Sequence, residues 1–559
     1  MNVALCTLPD GTMGVEMTIH PSEAPVQLFM SDFPANYEMF QNHIHPLTVS
    51  FMTRARPKPH TLHPPDWEGQ LKKASAYLYP HQKKSVERAI LEYDGRVLVA
   101  LEQGLGKTPV ACTLAVHYGG LCIFILPANK IVDFQREFQT VTGETLHAIQ
   151  RGKDKIPPNA SYIAISYDLA RSHTEVLQTK WTTVVMDECH AIKNESQRAK
   201  KILPLMVEAR AVILLSGTPQ ESRPVELYHI LYALHPTYFP SREEFTKRYC
   251  RGHINAYGKW QEDGAIHTEE LRWIMQEVMI RYTKDEVDLG LPKKIRELHQ
   301  FAMTNPANIA SFKRVREKKD ALVKEEAAAT DPREKERIHL DVFAQCTLLW
   351  TMTEAVKIQL CHAWWMQEMA AHPEDKWLVF VAHLNVLEQV ETRLAESKVS
   401  HMVIQGNVTR TRREVLKTAF QTDPTIRVAL MTLGAGSTGI NMTAANRVLF
   451  LGITQRQMQQ AEDRAHRMGQ KKDVTCYWIH AGALTHDVSL FPTVVSRSSL
   501  ASKILDGDTS GVVEFDHTID HRKEPHEMEK ELVLTKEASK KRERKQSAGT
   551  KPAKAMKRE

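Results

Sequence analysis

The chain has 559 residues, of which 42% are hydrophobic and 25% are charged, an ordinary balance for globular domains with sizeable cores. It contains no run of about 18 apolar residues and no signal-peptide pattern, which argues against a membrane span or secretion. Its eight cysteines include no C-x-x-C pair, so we expect a reduced intracellular environment and no structural zinc.

The net charge of +6 is concentrated at the C-terminal end of the chain. Residues 536–559 contain ten Lys or Arg and three Glu and so contribute +7, which leaves a sum of −1 for the preceding 535 residues. This composition predicts a disordered basic tail, which either solvates the chain end or attracts phosphates without sequence preference. The body is not globally basic, so any nucleic-acid contact there must be a local groove.

The chain begins with an irregular, proline-containing stretch over residues 1–75, which predicts a small accessory region. From residue 76 to about 235, apolar runs alternate with helical stretches. This alternation predicts a parallel, doubly wound sheet whose ligands lie at the carboxyl ends of its strands. The predicted strands are residues 96–101, 121–126, 162–166, 182–186 and 211–215.

The first of these strands leads into a glycine-rich turn that contains Gly104 and Gly106, and residues 108–116 then read as a helix. Glycines let the backbone N–H groups of such a turn face a phosphate, and the helix N-terminus adds its dipole. Lys107 would then reach the β- and γ-phosphates of a nucleotide, and the hydroxyl of Thr108 would ligate Mg²⁺.

The strand predicted at residues 182–186 ends at Asp187 and Glu188. An isolated Asp-Glu pair is commonly a solvated strand end, but after a phosphate-binding loop it predicts a hydrolysis site. Asp187 would face Mg²⁺ and Glu188 the attacking water, because phosphoryl transfer requires charge neutralisation and an oriented nucleophile. The two segments together predict a nucleoside-triphosphate site.

The interval between residues 219 and 377 is longer than a simple connection, and much of it reads as helical. The strongly charged residues 312–341 predict a solvent-exposed helical hairpin, and Trp364 and Trp365 are predicted to pack a helix. A second parallel sheet follows. Its predicted strands are residues 377–381, 401–404, 428–431, 447–451 and 474–479. After about residue 487 the periodic pattern dissolves.

Residues 460–470 contain Arg464 and Arg467, whose spacing places them on one face of a predicted helix. Arginines that approach a γ-phosphate from a second lobe stabilise the charge of the transition state and make hydrolysis depend on closure. Alone, this segment would be an ordinary charged helix. In order with the other motifs, it predicts a two-lobed motor.

In this order the motifs resemble those of superfamily 2 helicase-like ATPases, and more closely those of the Snf2 (SWI/SNF-type) family. The residues that carry the resemblance are 78–82, 104–108, 187–190, 216–219, 434–441 and 460–470, with two Snf2-type segments at 245–250 and 279–287. The resemblance covers about residues 76–487. Residues 222–224 and 460–464 favour the HepA-related annealing-helicase branch, whereas residues 453–455 depart from the Trp-Asn-Pro that the family commonly carries.

The resemblance implies an α/β fold of two RecA-like parallel-sheet lobes, with helical insertions between motif III and motif IV. The implied domains are an N-terminal accessory region (1–75), RecA-like lobe 1 with the ATP-binding motifs and a helical protrusion (76–292), a linker with a helical protrusion (293–372), RecA-like lobe 2, the helicase C-terminal domain (373–487), and a C-terminal extension with the basic tail (488–559).

The resemblance also implies ATP and Mg²⁺ as ligands, held between the lobes. Catalytic roles fall to Lys107, Asp187, Glu188, Arg464 and Arg467. ATP is bound by Gln82, which contacts the adenine, and by Gly104, Gly106, Lys107, Thr108 and Gly439, while Thr108 and Asp187 hold Mg²⁺. Contacts with nucleic acid that do not read sequence are implied for Asn129, Lys130, Ser166, Tyr167, His383 and Thr432.

The favoured function is an ATP-dependent DNA translocase that moves on or remodels duplex or forked DNA, in repair or at replication forks. A strand-separating helicase on DNA or RNA is the alternative within the same enzyme class. A nucleic-acid-binding scaffold with an inactive ATPase fold is the alternative without catalysis, and the presence of Lys107, Asp187 and Glu188 argues against it. DNA is the expected partner, RNA is less favoured and no membrane partner is expected. The expected location is intracellular, soluble and DNA-associated, in a bacterial or host cytoplasm or in a nucleus.

Overall fold

The computed structural model describes residue 51 and residues 76–521 except 94, 194, 256–257, 288, 407, 437–440, 455–456 and 507–512, and the backbone of three strands before residue 30. These strands, Asn2–Thr7, Met13–Thr18 and Val26–Phe29, form an antiparallel sheet. The chain divides into two compact units. The first comprises Met1–Gly290 and Val494–Val513, and the second comprises Leu291–Thr493 and Glu514–Glu559.

In the first unit, seven described strands form a parallel sheet. Their order across the sheet is Met279–Ile280, Arg96–Val99, Ala211–Leu215, Thr183–Asp187, Cys122–Leu126, Tyr162–Ser166 and His147–Ile149. The three strands Ala211–Leu215, Thr183–Asp187 and Cys122–Leu126 are buried along their whole length, as expected for a parallel sheet covered on both faces. The predicted parallel sheet is confirmed.

Alternate residues of these strands supply two separate apolar cores. Val212 and Leu214 pack into one buried cluster, whereas Ile213 and Leu215 pack into the other, because successive side chains of a strand point to opposite faces. Helices cover both faces. Their bounds in the first unit are Pro80–Leu91, Lys107–Tyr118, Ile131–Thr142, Tyr167–Ala170, Thr174–Gln178, Gln197–Glu208, Tyr228–Leu234, Arg242–Cys250 and Thr268–Gln276, with short 3₁₀ turns at Ala128–Lys130, Cys189–Ile192 and Pro224–Leu227.

In the second unit, seven described strands form another parallel sheet. Their order is His401–Ile404, Val428–Thr432, Trp377–Val381, Arg447–Phe450, Val474–His480, Lys294–Gln300 and His517–Asp520. The last two were not predicted. Lys294–Gln300 mixes charged and apolar residues, and it enters the sheet by pairing with a strand about 180 residues further along the chain, which no local pattern reveals.

Helical insertions follow the strand Lys294–Gln300 and precede the other strands of this sheet in the chain. Pro306–Ala328 and Pro332–Ala371 pack against each other as a hairpin that is largely exposed. Each helix starts with a proline after a capping side chain: Asn305 accepts a hydrogen bond from the Ala307 N–H and Asp331 accepts one from the Arg333 N–H. Trp365 is fully buried, which confirms that it packs a helix. The other helices are Leu384–Glu396, Arg410–Thr422, Leu433–Gly436, Met458–Glu462 and Asp487–Leu505.

The helix Asp487–Leu505 corrects the expectation that regular structure ends near residue 487. Pro492 and several serines give this segment a poor intrinsic helix propensity, so its sequence does not indicate a helix. Tertiary contacts stabilise it instead. At its start, the Asp487 carboxylate forms a buried ion pair with Lys357 (2.8 Å), and at its end Leu505 is buried in the core of the first unit.

Among the described residues, no helix is long and apolar enough to cross a bilayer. The predicted basic tail at residues 536–559 lies outside the described residues, as does most of the predicted accessory region.

Candidate active site

The predicted phosphate loop joins the strand Arg96–Val99 to the helix Lys107–Tyr118. Gly104 and Gly106 have φ values of 93° and 77°, in the left-handed region that favours glycine. A Cβ on Gly106 would lie 2.1 Å from Nε2 of Gln82, so no larger residue fits there without displacing that side chain. The backbone therefore turns sharply here because glycine adopts these φ values. The loop leads directly into the N-terminus of the helix Lys107–Tyr118.

Gln82, the predicted adenine contact, is buried against this loop. Its Nε2 donates to the Leu105 carbonyl (3.0 Å), and its Oε1 accepts from the Tyr79 N–H (2.9 Å) at the start of the preceding helix. The Nε2–H of His81 donates to the same Leu105 carbonyl (2.9 Å). Gln82 thus stabilises the loop itself, and its contact with adenine stays a prediction.

Lys107 points into the loop that precedes it. Its ammonium donates to the Leu101 carbonyl (2.9 Å). Burial lowers the pKa of Lys107 to about 8, although the carboxylates of Glu188 and Asp187 oppose the shift. A polyphosphate beside this ammonium would supply the negative charge that stabilises its protonated form.

The strand Thr183–Asp187 brings the two predicted carboxylates to the same edge of the sheet. Glu188 has a φ of 54°, a left-handed conformation that is uncommon for a residue with a long side chain. The hydroxyl of Tyr167 donates to the carbonyls of Asp187 and Glu188 and so stabilises this turn. Tyr167 is itself buried, and its contact with nucleic acid stays a prediction.

Lys130, another predicted nucleic-acid contact, lies between the two carboxylates. Its Nζ is 3.0 Å from Oδ2 of Asp187 and 2.8 Å from Oε1 of Glu188. Burial would raise the pKa of Glu188, but attraction to Lys130, His190 and Lys107 lowers it to about 2. The two carboxylates therefore form ion pairs with the ammonium of Lys130. Their hard oxygen atoms are also suitable ligands for Mg²⁺.

Three further predicted contacts also lie at strand ends. Asn129 is in the 3₁₀ turn after Cys122–Leu126 and is partly buried. Ser166 caps the short helix that follows its strand, because its Oγ accepts from the Leu169 N–H (3.3 Å). Thr432 does the same in the second unit, accepting from the Ala435 N–H (3.3 Å).

His383 follows the strand Trp377–Val381 and is held by Glu354 from the long helix of the hairpin. The Glu354 carboxylate accepts from the His383 ring and from the N–H groups of Ala382 and His383. Trp350 packs edge-on against the imidazole, with ring centroids 4.7 Å apart. Glu354 was not predicted as part of the site. It lies 29 residues before His383 in the chain, and only the folding of the long helix brings its carboxylate to that imidazole.

Arg464 and Arg467 do not share a helix face, contrary to expectation. The helix Met458–Glu462 ends before them, and both lie in the turns that follow. Arg464 is 4% exposed, whereas Arg467 is partly exposed. Their catalytic role stays a prediction. Gly439 lies outside the described residues, as do its neighbours at 437–440.

Glu462, the last residue of this helix, is anchored by its side chain. Its fully buried carboxylate accepts from Arg296 (2.7 and 2.9 Å) and from the indole N–H of Trp478 (3.3 Å), and Lys294 lies 3.3 Å away. Burial would raise the pKa of Glu462, but Arg296 and Lys294 hold it below its ordinary value. Glu462 therefore ties the segment that carries Arg464 to the second sheet, a role that its place in the motif does not reveal.

Two family descriptions match the chain. The SNF2-related domain matches residues 81–346, and the Helicase conserved C-terminal domain matches residues 360–469. The chain belongs to the Snf2 family of helicase-like ATPases. The predicted family is confirmed, and membership of an ATPase family implies the use of ATP.

Relatives within the family include DNA annealing helicases, which agrees with the predicted branch. DNA annealing helicase and endonuclease ZRANB3 of Bos taurus is 30% identical over 78% of this chain and 41% of the relative. SWI/SNF-related matrix-associated actin-dependent regulator of chromatin subfamily A-like protein 1 of Xenopus tropicalis is 30% identical over 76% of this chain and 44% of the relative. The chain thus spans less than half the length of these relatives.

Among solved structures, the SWI2/SNF2 ATPase core of Sulfolobus solfataricus in complex with dsDNA aligns with 77% of this chain and 94% of that chain, at 21% identity and a TM-score of 0.35. The family assignment therefore depends on the sequence matches.

Proposed function

We propose that this chain is a nucleic-acid-dependent ATPase that uses ATP hydrolysis to move on or remodel duplex or forked DNA. One observation carries the proposal. Lys107 and the Asp187–Glu188 pair, three charged residues from two strand-end loops of a Snf2-family chain, lie close enough for the carboxylates to act on the pKa of the ammonium. A phosphate-binding cation beside two carboxylates is what phosphoryl transfer to water requires.

Each residue of the first unit has a proposed role. Lys107 and the N–H groups of the Gly104–Gly106 turn bind the phosphates, and Glu188 orients the attacking water. Thr108 and Asp187 would hold Mg²⁺, which neutralises phosphate charge when bound. Gln82 would contact the adenine through the hydrogen bonds that its amide group does not make with the loop.

Residues of the second unit complete the proposal. Arg464 and Arg467 stabilise negative charge on the γ-phosphate, and Gly439 is a further nucleotide-binding residue. The nucleic-acid contacts are the strand-end residues Asn129, Lys130, Ser166, Tyr167, His383 and Thr432. Hydroxyl, amide and ammonium groups at such positions bind phosphates without reading bases, which suits movement along any sequence.

DNA is the proposed substrate because relatives of this chain are named DNA annealing helicases, among them ZRANB3 of Bos taurus and of Mus musculus. The proposal covers the motor alone, since the chain matches less than half of each of these relatives. The functional division into an accessory region (1–75), lobe 1 (76–292), a linker with protrusion (293–372), lobe 2 (373–487) and a C-terminal extension (488–559) is part of this proposal.

An ATPase assay with duplex, forked and single-stranded DNA and with RNA tests the proposal. We expect duplex or forked DNA to stimulate hydrolysis at least as well as single strands, and Lys107→Ala to abolish the stimulation. Lys153→Ala, a change of an exposed lysine in the same unit, is the matched control and should keep the wild-type rate.

A strong preference for RNA would reject the substrate, and no hydrolysis with any polynucleotide would leave only the scaffold alternative. Displacement of a triplex-forming strand from duplex DNA then distinguishes the two motor alternatives. A translocase displaces the third strand without separating the duplex, whereas a strand-separating helicase also releases the duplex strands.

A further inference from the structure

Arg281 connects the two loops that surround Lys107. It follows the short edge strand Met279–Ile280, and its NH1 donates to the carbonyls of Ala100 (2.9 Å) and Gly217 (3.0 Å). Ala100 directly follows the strand that leads into the phosphate loop, and Gly217 lies just after the strand Ala211–Leu215. One guanidinium group thus fixes the distance between two neighbouring strand ends.

Lys107 has little freedom between these strand ends. Its ammonium donates to the carbonyl of Leu101, the residue after Ala100. On the other side, a Cβ added to Gly217 would lie 3.1 Å from Nζ of Lys107 and 2.7 Å from Cγ of Gln103. Any change in the separation of Ala100 and Gly217 would therefore move the lysine that is proposed to bind the phosphates.

Asp506 holds the other side of the same guanidinium. Its carboxylate accepts from Nε of Arg281 (2.7 Å) and from NH2 (3.5 Å). The two side chains are 8% and 18% exposed, so their charges are poorly screened by water. Removing the carboxylate would leave a cation without this partner near the ammonium of Lys107, an arrangement that Coulombic repulsion disfavours.

The segment that carries Asp506 is fixed against the first unit. Residues 494–513 belong to that unit, although they follow the second sheet in the chain. Ile504 and Leu505, just before Asp506, are 0% and 6% exposed and pack into one of its two cores. The segment lies beyond both family matches, which end at residues 346 and 469.

We propose that Asp506 is a positioning residue for ATP hydrolysis: through Arg281 it fixes the strand ends at Ala100 and Gly217 and thereby the place of Lys107. The inference rests on the proposed ATPase function. It gives Asp506, the residue after the helix Asp487–Leu505, a role in hydrolysis, because its carboxylate orients Arg281.

The test compares Asp506→Asn, Asp506→Glu and Lys503→Gln in the full chain, with ATP and a stimulating DNA. We expect Asp506→Asn to lower kcat about tenfold, because a misplacement of about 1 Å can cost about 100-fold and the carbonyl contacts of Arg281 remain. The KM for ATP should stay within about threefold of wild type. Asp506→Glu keeps the carboxylate and should recover most of the rate. Lys503→Gln removes an exposed ion pair with Glu269 (3.4 Å) in the same segment and should behave as wild type.

Two measurements separate positioning from loss of folded protein. The stoichiometry of binding of a fluorescent ADP analogue should be the same for wild type and Asp506→Asn. Equal stoichiometry would show that all molecules of the variant are folded and that each hydrolyses ATP more slowly. If Asp506→Asn does not fold, Arg281→Lys replaces it, since lysine keeps the charge but cannot reach the carboxylate and both carbonyls at once. Arg281→Lys should then show the same loss of kcat.

A kcat within twofold of wild type for Asp506→Asn, or for Arg281→Lys in its place, would overturn the inference and leave the proposed function intact. A lower rate matched by an equal loss of nucleotide-binding stoichiometry would also overturn it, because the carboxylate would then serve folding alone. A wild-type chain without ATPase activity on any polynucleotide would overturn the proposed function and this inference together.

Discussion

The two parallel sheets use charged residues in different ways. In the first unit, Lys130 meets Asp187 and Glu188 at the strand ends that carry the proposed chemistry. In the second unit, buried charges pair to hold the backbone, as Glu462 does with Arg296 and Lys357 with Asp487. Removing a charge from the Lys130–Asp187–Glu188 group should therefore change the reaction, whereas removing Glu462 should change stability.

The largest expected effect is on catalysis in the first unit. Glu188→Gln keeps the shape of the side chain but cannot orient water as a carboxylate does. We expect the DNA-stimulated ATPase rate to fall by about 1,000-fold, a size typical of the loss of a group that acts directly on the transition state. The variant should remain folded at the assay temperature, which thermal unfolding checks. A variant that keeps more than a tenth of the wild-type rate would show that Glu188 is not the catalytic carboxylate.

The second effect is on stability in the second unit. Glu462→Gln leaves Arg296 without its buried counter-charge, whereas Lys294 keeps Asp463 at 3.8 Å, and breaking a buried ion pair costs about 3 to 5 kcal/mol. Denaturant unfolding should show a loss of this order. Glu388→Gln, a change of an exposed carboxylate on the helix Leu384–Glu396, provides the control. Equal stability of the two variants would refute the contrast between the sheets.

A third, smaller effect concerns acid sensitivity at the far edge of the second sheet. Burial and the neighbouring His299 lower the pKa of His521 to about 4. Between about pH 6.5 and pH 4 the unfolded chain therefore binds more protons at this site than the folded chain, so stability falls as the pH falls. The His521 imidazole also stacks on Phe301, with ring centroids 4.2 Å apart.

We expect His521→Gln to reduce the loss of unfolding free energy between pH 7 and pH 5 by at most about 2 kcal/mol, because each pKa unit corresponds to about 1.4 kcal/mol and the ring is partly exposed. His253→Gln, at an exposed position, should leave the pH dependence unchanged. An unchanged slope in His521→Gln would mean that this imidazole does not govern acid stability.

The smallest expected effect returns to the first unit. Lys130→Met removes the strongest attraction that keeps Glu188 ionised, and burial would then raise the pKa of Glu188. The acidic limb of the pH profile of kcat/KM should move to higher pH, since the carboxylate would be protonated sooner on acidification. Lys153→Met serves as the control at an exposed lysine. A pH profile that does not shift would show that Lys130 does not control the ionisation of Glu188.

The sequence predicts strands best where apolar residues fill both faces of a sheet. Ala211–Leu215 and Trp377–Val381 have the predicted bounds, because continuous buried runs need no distant partner to be read as strands. The loop with Lys107 and the strand end with Asp187 can also be predicted from the sequence, because each is formed by residues that are neighbours in the chain.

The contacts that orient these groups are not local. Arg281 and Asp506 are separated by 225 residues, and neither carries a periodic signal. The sequence predicts Glu462 on a charged helix, and the fold places its carboxylate in the interior among Arg296, Lys294 and Trp478. Such pairings depend on which strands become neighbours, a property of the whole fold that propensity and spacing do not contain.

The left-handed turn at Glu188 has a consequence for any effort to make this protein more robust. A non-glycine residue in that conformation costs roughly 1 kcal/mol or more, and the hydroxyl of Tyr167 helps to hold it. Glu188→Gly would relieve the strain, but it would also remove the ion pair with Lys130 (2.8 Å) and eliminate turnover. A variant designed to relieve backbone strain should therefore be screened for turnover before it is kept, because strain is retained where the function requires it.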